Sequence, residues 1–237
     1  MTVQSNLPAL HELHVLHVLH VDAACIVVDK PAGLLAVPGR GEHLQDCVSA
    51  RVQAAYPDAL VVHRLDMSTS GLMLFARGAA AQRVLNDAFA QRAVFKRYVA
   101  VVHGRLVDAH GEIDLPLLGD WPNRPLQKVD QVHGKPSLTR YRVIDSAAIT
   151  ANATNEANPA HGAGPDTTRI ELEPVTGRAH QLRVHLLAIG HPIVGDALYA
   201  PPAVHAMAER LLLHAALLRF AHPVSGALLS LESAAPF

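Results

Sequence analysis

VVHRLDMSTSGLMLFAR, residues 61–77, begins and ends like a buried strand and is broken in the middle by an arginine, a carboxylate and a run of hydroxyls. Val61-Val62 and Leu72-Met73-Leu74-Phe75 are apolar and strand-forming. Between them stand His63, Arg64, Leu65 and Asp66, then Ser68, Thr69, Ser70 and Gly71. Strand, polar turn, strand is the local pattern of a sheet, and an aspartate ahead of hydroxyls commonly caps such a turn. The flanking runs, however, predict partial burial of both Arg64 and Asp66. A buried carboxylate needs a cationic partner. The other segment with arginines set in an apolar stripe is 178–186, so Arg183 is the expected partner. An adjacent guanidinium keeps a carboxylate ionised. An ionised, oriented aspartate suits a nucleophile or a charge-stabilising group.

Working outward, Cys25–Asp29 reads as a strand entering the Pro/Gly-punctuated loop 30–39. Helical spacing appears over Leu44–Ala55, and again over 79–93 with Ala81, Val84, Leu85, Ala88 and Phe89 on one face. Strands are expected at 59–62, 71–76, 95–102, 137–144, 168–173, 212–220 and 226–232. The segment 175–192 reads as a helix capped by Thr176, with Leu182, His185, Leu186 and Ile189 as its stripe and Gly190 and Pro192 as its stop. Strands outnumber helices without strict alternation. The fold class is therefore α+β, a large mainly antiparallel mixed sheet with flanking helices, in a single domain over 1–237. A flexible tail is expected over 1–17, and a surface loop over 146–166, where periodicity is lost.

Half of the residues are hydrophobic and the net charge is -1, which allows a sizeable core and argues against indiscriminate nucleic-acid coating. Local charge is uneven: Arg83, Arg92, Lys96, Arg97 and Arg105 cluster, as do Arg124, Lys128, Lys135, Arg140 and Arg142. Such clusters suit either a docked polyanion or ordinary solvated surface. Cys25 and Cys47 form neither a disulfide framework nor a metal pattern. His11, His14, His17 and His20 are three apart, a spacing that drifts round a helix and alternates faces on a strand, so no metal site is assigned. There is no secretory signal and no membrane-length apolar run, which predicts a cytoplasmic protein with no membrane partner. Phosphate loops, G-x-S-x-G and C-x-x-C are absent from the sequence. A glycosidase-type aspartate hydrolase would need a second carboxylate at a plausible motif position, and none stands there.

HRLDMSTSG (63–71) resembles the H-R-L-D-x-x-T-S-G signature of the RluA family of RNA pseudouridine synthases. DKPAGLLAVPG (29–39), KRYVAVVHG (96–104), GRAHQLRVHLLAIGHPIVGDALY (177–199) and LLLHA (211–215) resemble further motifs of the family, in the family's order. DWPNRPLQKVD (120–130) is similar to a segment of its dual-specificity members. Only 28 residues precede the first motif, which leaves no room for the S4 domain of many relatives.

The resemblance implies the pseudouridine synthase catalytic fold. It implies isomerisation of loop uridines in RNA by breaking C1′–N1 and joining C1′ to C5. No cofactor, no metal and no obligate protein partner are implied; the partners would be stem-loops of tRNA, at the anticodon, and of 23S rRNA. By the same resemblance Asp66 is the catalytic aspartate, as nucleophile or as base. Arg183 is its pair, and Tyr98 is the tyrosine that packs on the uracil and is a candidate to help remove the C5 proton. Arg64 enters the stack vacated by a flipped nucleotide. Arg124, Lys128 and Lys135 are candidates for phosphate contacts, while His63, Thr69 and Ser70 hold the loop.

Overall fold

A computed structural model describes residues 16–145 and 166–237. In chain order the elements are β1 (His17–Val21), β2 (Cys25–Lys30), α1 (Val48–Ala55), β3 (Ala59–Val61), β4 (Ser70–Arg77), α2 (Gly78–Ala90), β5 (Phe95–His103) and β6 (His110–Asp114). They continue with β7 (Leu117–Gly119), β8 (Gln127–Val129), β9 (Leu138–Asp145), β10 (Thr167–Pro174), α3 (Gln181–Ala188), α4 (Pro202–His205), β11 (Leu213–Ala221) and β12 (Leu228–Glu232). Ten strands form one sheet in the order β1-β2-β4-β11-β5-β10-β9-β6, with β3 beside β4 and β12 beside β11. β7 and β8 make a separate two-stranded ribbon. The architecture is the α+β one expected, and among the described strands only β4 and β11 pair in parallel.

The run that looked continuously apolar, β4, is buried on both faces. Leu74 points with Val27 and Phe220 toward Ala81 and Leu85 of α2. Met73 and Phe75 point the other way, with Ile26 and Val28, toward Val48 and Val52 of α1. A third cluster sets Leu182 and Leu186 of α3 on Ala100, Val102, Ile170 and Leu172. Cys25 and Cys47 are free and buried, as small apolar residues.

Four expectations shift. β1 was not foreseen: Leu16 is fully buried and Val18 nearly so, and His17 opens a strand paired with β2, so the tail ends earlier than residue 17. The rest of that tail, with His11 and His14, and residues 146–165 of the expected loop lie outside the described residues. The helix expected from Leu44 starts at Val48, where the Cys47 Sγ accepts the Ala50 N–H; Glu42–Leu44 is a separate 3-10 turn. Val84 of α2 turns out to solvent at 47% exposure rather than joining the apolar face. The helix expected over 175–192 begins only at Gln181. His180 ahead of it is left-handed (φ 52), and Thr176 caps no helix; its hydroxyl donates to the Gln181 side chain and accepts the Leu138 N–H.

The β4–β11 seam positions everything that follows. Gly71 sits there at φ 108, and a Cβ on it would come within 2.4 Å of the Ala215 carbonyl oxygen. Glycine alone permits both the backbone angle and the approach. Beside it the Ser70 hydroxyl is paired with His214 Nδ1 at 2.8 Å and accepts from Arg210 Nη2 at 2.5 Å. Gly71→Ala is therefore expected to destabilise the protein by about 1–3 kcal/mol. Urea denaturation measures this, and an unchanged midpoint would refute the account of the seam.

Candidate active site

β3 stops at Val61, opposite Phe75, and the chain leaves the sheet. The next ladder position is filled by a side chain: the Leu74 N–H donates to His63 Nε2 at 2.9 Å, and the imidazole stacks on Phe89 at 4.8 Å. Burial, then the charge of Lys96, pushes the His63 pKa down to about 3, so the ring is neutral and can accept. Beyond it the chain alternates. Leu65 is buried, Arg64 is exposed, and the Asp66 side chain is 28% exposed. The expected partial burial of Arg64 is thus corrected: one residue of strand-like alternation sends Leu65 inward and Arg64 outward.

The far side of the loop is fixed by a lysine the sequence reading passed over. Lys30 is fully buried, and its Nζ donates to the carbonyls of Pro31 (2.9 Å), Leu34 (2.6 Å) and Met67 (2.9 Å). Three carbonyls replace the ammonium's water and tie loop 31–34 to the loop that carries Asp66. Burial pulls the Lys30 pKa down to about 8, while Asp66 opposes the shift.

Arg183 does reach Asp66, across 117 residues, with Nη1 at 3.3 Å from Oδ2. Its stronger bonds go elsewhere. Nε and Nη2 form a two-pronged pair with Asp196 Oδ2 and Oδ1 at 2.8 and 2.6 Å. Asp196 is fully buried and also accepts the backbone N–H groups of Leu198 and Tyr199. The fork against Asp196 fixes the plane of the guanidinium and leaves one nitrogen for Asp66. Asp196 was missed, although its signal was available: a lone carboxylate in the apolar run IVGDALY (193–199) raises the same question of a partner as Asp66.

These groups lie in a cavity of about 840 Å³, within the ~300–1,000 Å³ of ligand clefts. Tyr98 of β5 forms part of its wall, and burial, then Asp66, pushes the phenol pKa up, which keeps it protonated. Arg64, Arg92, Lys96, Arg178 and Arg183 line the cavity against the single carboxylate Asp66. Of these, Arg92, Lys96 and Arg178 were not singled out as site residues. Conversely, Arg97, Arg140 and Arg142 of the two basic clusters pair across strands with Glu171, Glu173, Glu112 and Glu232 and belong to the solvated sheet surface. Arg124, Lys128 and Lys135 do not line the cavity. They stand on or beside the β7–β8 ribbon, where Lys128 is 3.9 Å from Asp120 and Arg124 lies over the Trp121 ring. Near the start of the chain, His20 Nε2 is 2.7 Å from Asp22 Oδ2, the same oxygen approached by His222 at 3.1 Å. Among the described residues, no helix is long and apolar enough to cross a membrane.

Comparison with known proteins points one way. A family model described as "RNA pseudouridylate synthase" matches residues 24–188. The chain is 48% identical over 216 residues to the dual-specificity RNA pseudouridine synthase RluA of Escherichia coli (strain K12), covering 91% of each. It is 49% identical over 210 residues to the protein of the same description from Vibrio vulnificus (strain CMCP6), covering 89% of this chain and 79% of that one. Among solved structures, human RNA pseudouridylate synthase domain containing 1 superposes with a TM-score of 0.76 at 26% identity, over 96% of this chain and 86% of that one.

The neutral His63 gives the loop a signature in acid. Its folded pKa of about 3 lies below the ordinary 6.5, so below pH 6.5 the unfolded chain takes up a proton that the folded loop refuses. Stability is expected to fall as pH drops from 6.5 toward 3. His63→Gln, which can still accept the Leu74 N–H, is expected to be less stable at pH 7 and to fall less steeply in acid. His180, His185 and His214 are pushed the same way by burial, so the slope shrinks by one proton's worth and persists. Urea midpoints from pH 7 to pH 4 measure it, and equal slopes would remove His63 from the loop's support.

Proposed function

The chain belongs to the RNA pseudouridylate synthase family and is an RNA pseudouridine synthase, and we propose that its chemistry runs through Asp66, held by Arg183 beneath the wall formed by Tyr98. The observation that carries this reading is a half-buried carboxylate, paired with a buried guanidinium, as the single acid among the described residues of a largely apolar cavity that also carries Arg64, Arg92, Lys96 and Arg178. Cations around the rim suit a phosphate backbone, and the lone acid suits a reaction at the sugar it carries.

The reaction breaks C1′–N1, turns the uracil within the site, and forms C1′–C5; C5 loses a proton and N1 gains one. Asp66 works at the ribose side of that exchange. Arg183 engages its Oδ2, so the carboxylate is held at one oxygen while the other faces His180 and the cavity. The guanidinium also stabilises the negative charge that Asp66 carries at rest and regains whenever it leaves the sugar. Tyr98, kept protonated by burial, supplies a flat wall for the uracil rather than a base. The target uridine must leave its stack to reach Asp66, at a cost of a few kcal/mol that is least in a loop. Arg64, exposed at the mouth, is suited to fill the vacated place with its planar guanidinium. Hairpin loops of tRNA, at the anticodon stem, and of 23S rRNA are the proposed substrates, in the cytoplasm. Two relatives described as dual-specificity enzymes support that pairing.

Asp66→Asn is expected to lower single-turnover pseudouridine formation on an anticodon stem-loop by at least about 10³-fold while leaving RNA affinity within a few-fold. Near-normal turnover would take Asp66 out of the chemistry. Arg64→Ala is expected to slow the same step without lowering the melting temperature, since the side chain is exposed; an unchanged rate on a stem-loop would refute its role in flipping.

A further inference from the structure

His180 is the second residue to approach Asp66, and its surroundings are more ordered than a cavity lining requires. It takes a left-handed backbone (φ 52, ψ 17) immediately before α3, a conformation that non-glycine residues adopt at some cost. Its Nδ1 lies 2.6 Å from the Tyr199 hydroxyl. That hydroxyl already accepts the backbone N–H of Gln127 at 2.9 Å, so its own proton goes to His180 Nδ1. The imidazole is thereby fixed with Nδ1 as acceptor and Nε2 as donor, and Nε2 stands 3.9 Å from Asp66 Oδ1. This is the Asp66 oxygen that Arg183 does not engage. Tyr199 also carries the Arg183 guanidinium over its ring at 5.0 Å. One tyrosine therefore touches both groups that approach Asp66.

Gln127 opens β8, and the ribbon it belongs to bears the most exposed large aromatic near the cavity. Trp121 is 74% exposed, with the Arg124 guanidinium over its ring, and neighbouring Pro125 reaches the cavity wall. The tip is pinned by Asp120, which accepts from the Asn123 side chain at 2.8 Å. A solvent-facing indole backed by a guanidinium, on a fixed turn beside a cation-lined cavity, has the chemistry of a stacking platform for a nucleobase.

We propose that the β7–β8 ribbon receives a nucleotide flanking the extruded uridine and that Gln127, Tyr199 and His180 transmit its seating to Asp66, with His180 Nε2–H closing onto Oδ1. His180 and Tyr199 are thus positioning residues that join substrate recognition to the chemical step. The inference rests on the assignment of Asp66 to the chemistry.

Tyr199→Phe removes the hydroxyl while keeping the ring under Arg183, so the fold should survive. The single-turnover rate at saturating stem-loop RNA is expected to fall at least tenfold with the dissociation constant within threefold. His180→Asn, a residue that tolerates the left-handed backbone, is expected to match it. Nitrogen-15 NMR of histidine-labelled protein should find His180 protonated at Nε2 in the parent and a mixture of tautomers in Tyr199→Phe. Trp121→Ala should weaken binding and also slow the saturated rate in the parent, but should not slow it further in Tyr199→Phe. Two independent losses that multiply would overturn the coupling, as would a parent-like rate or an unmoved tautomer in Tyr199→Phe. If Asp66→Asn is inactive and Tyr199→Phe is not slowed, the coupling alone fails; if Asp66→Asn is active, the assignment of the chemistry fails first.

Discussion

A buried guanidinium shared between two carboxylates governs this molecule. Arg183 is 3% exposed and Asp196 is fully buried, so neither could remain charged without the other. Their two-pronged contact removes the rotational freedom of the arginine and aims its remaining nitrogen at Asp66. Burial works against the charged guanidinium, yet the two carboxylates outweigh it and hold the Arg183 pKa above its ordinary value. Helix α3, the turn at 195–199 and the loop at 62–69 thus converge on one cation. The sheet has to bring the Asp66 loop across 117 residues of sequence to the neighbouring Arg183 and Asp196 segments for that cation to be satisfied.

The parallel β4–β11 seam is where this convergence is built. Gly71 lets the two backbones close, and the Asp66 loop enters the sheet beside it. Lys30 holds the loop from one side through Met67, and His63 holds it from the other through Leu74. Both use a polar side chain to replace a main-chain partner that the sheet cannot supply where it is interrupted. The loop is therefore irregular without being loosely held, as the role proposed for Asp66 at the ribose would require.

Much of this was legible in the sequence because burial leaves a pattern. The interrupted run at 61–77 announced an acid in need of a cation, and the 178–186 stripe announced the cation. What escaped were features whose signal is short or non-periodic. β1 hid in a histidine repeat whose alternate Leu16 and Val18 face the core. The ribbon strands β7 and β8 span three residues each among prolines and glycines, too few for a period to emerge. The start of α3 was misplaced because Thr176 resembles a cap, whereas its hydroxyl is committed to Gln181 and Leu138. Asp196 escaped because the cation had already been assigned to Asp66, and one arginine was not expected to serve two acids. The charge clusters were ambiguous for a physical reason as well. Cross-strand ion pairs and phosphate contacts draw on the same residues, and only the sheet register separates Arg140 and Arg142 from Arg64 and Arg178.

The central claim is that Arg183 serves the reaction by geometry, and that its charge alone is not enough. Arg183→Lys tests it most directly, because lysine keeps the charge but cannot hold Asp196 with two bonds and Asp66 with a third. In single-turnover assays on an anticodon stem-loop at saturating enzyme, the account predicts a rate lower by about two orders of magnitude, with RNA affinity retained. A rate within twofold of the parent would show that a nearby positive charge suffices, and would contradict the account.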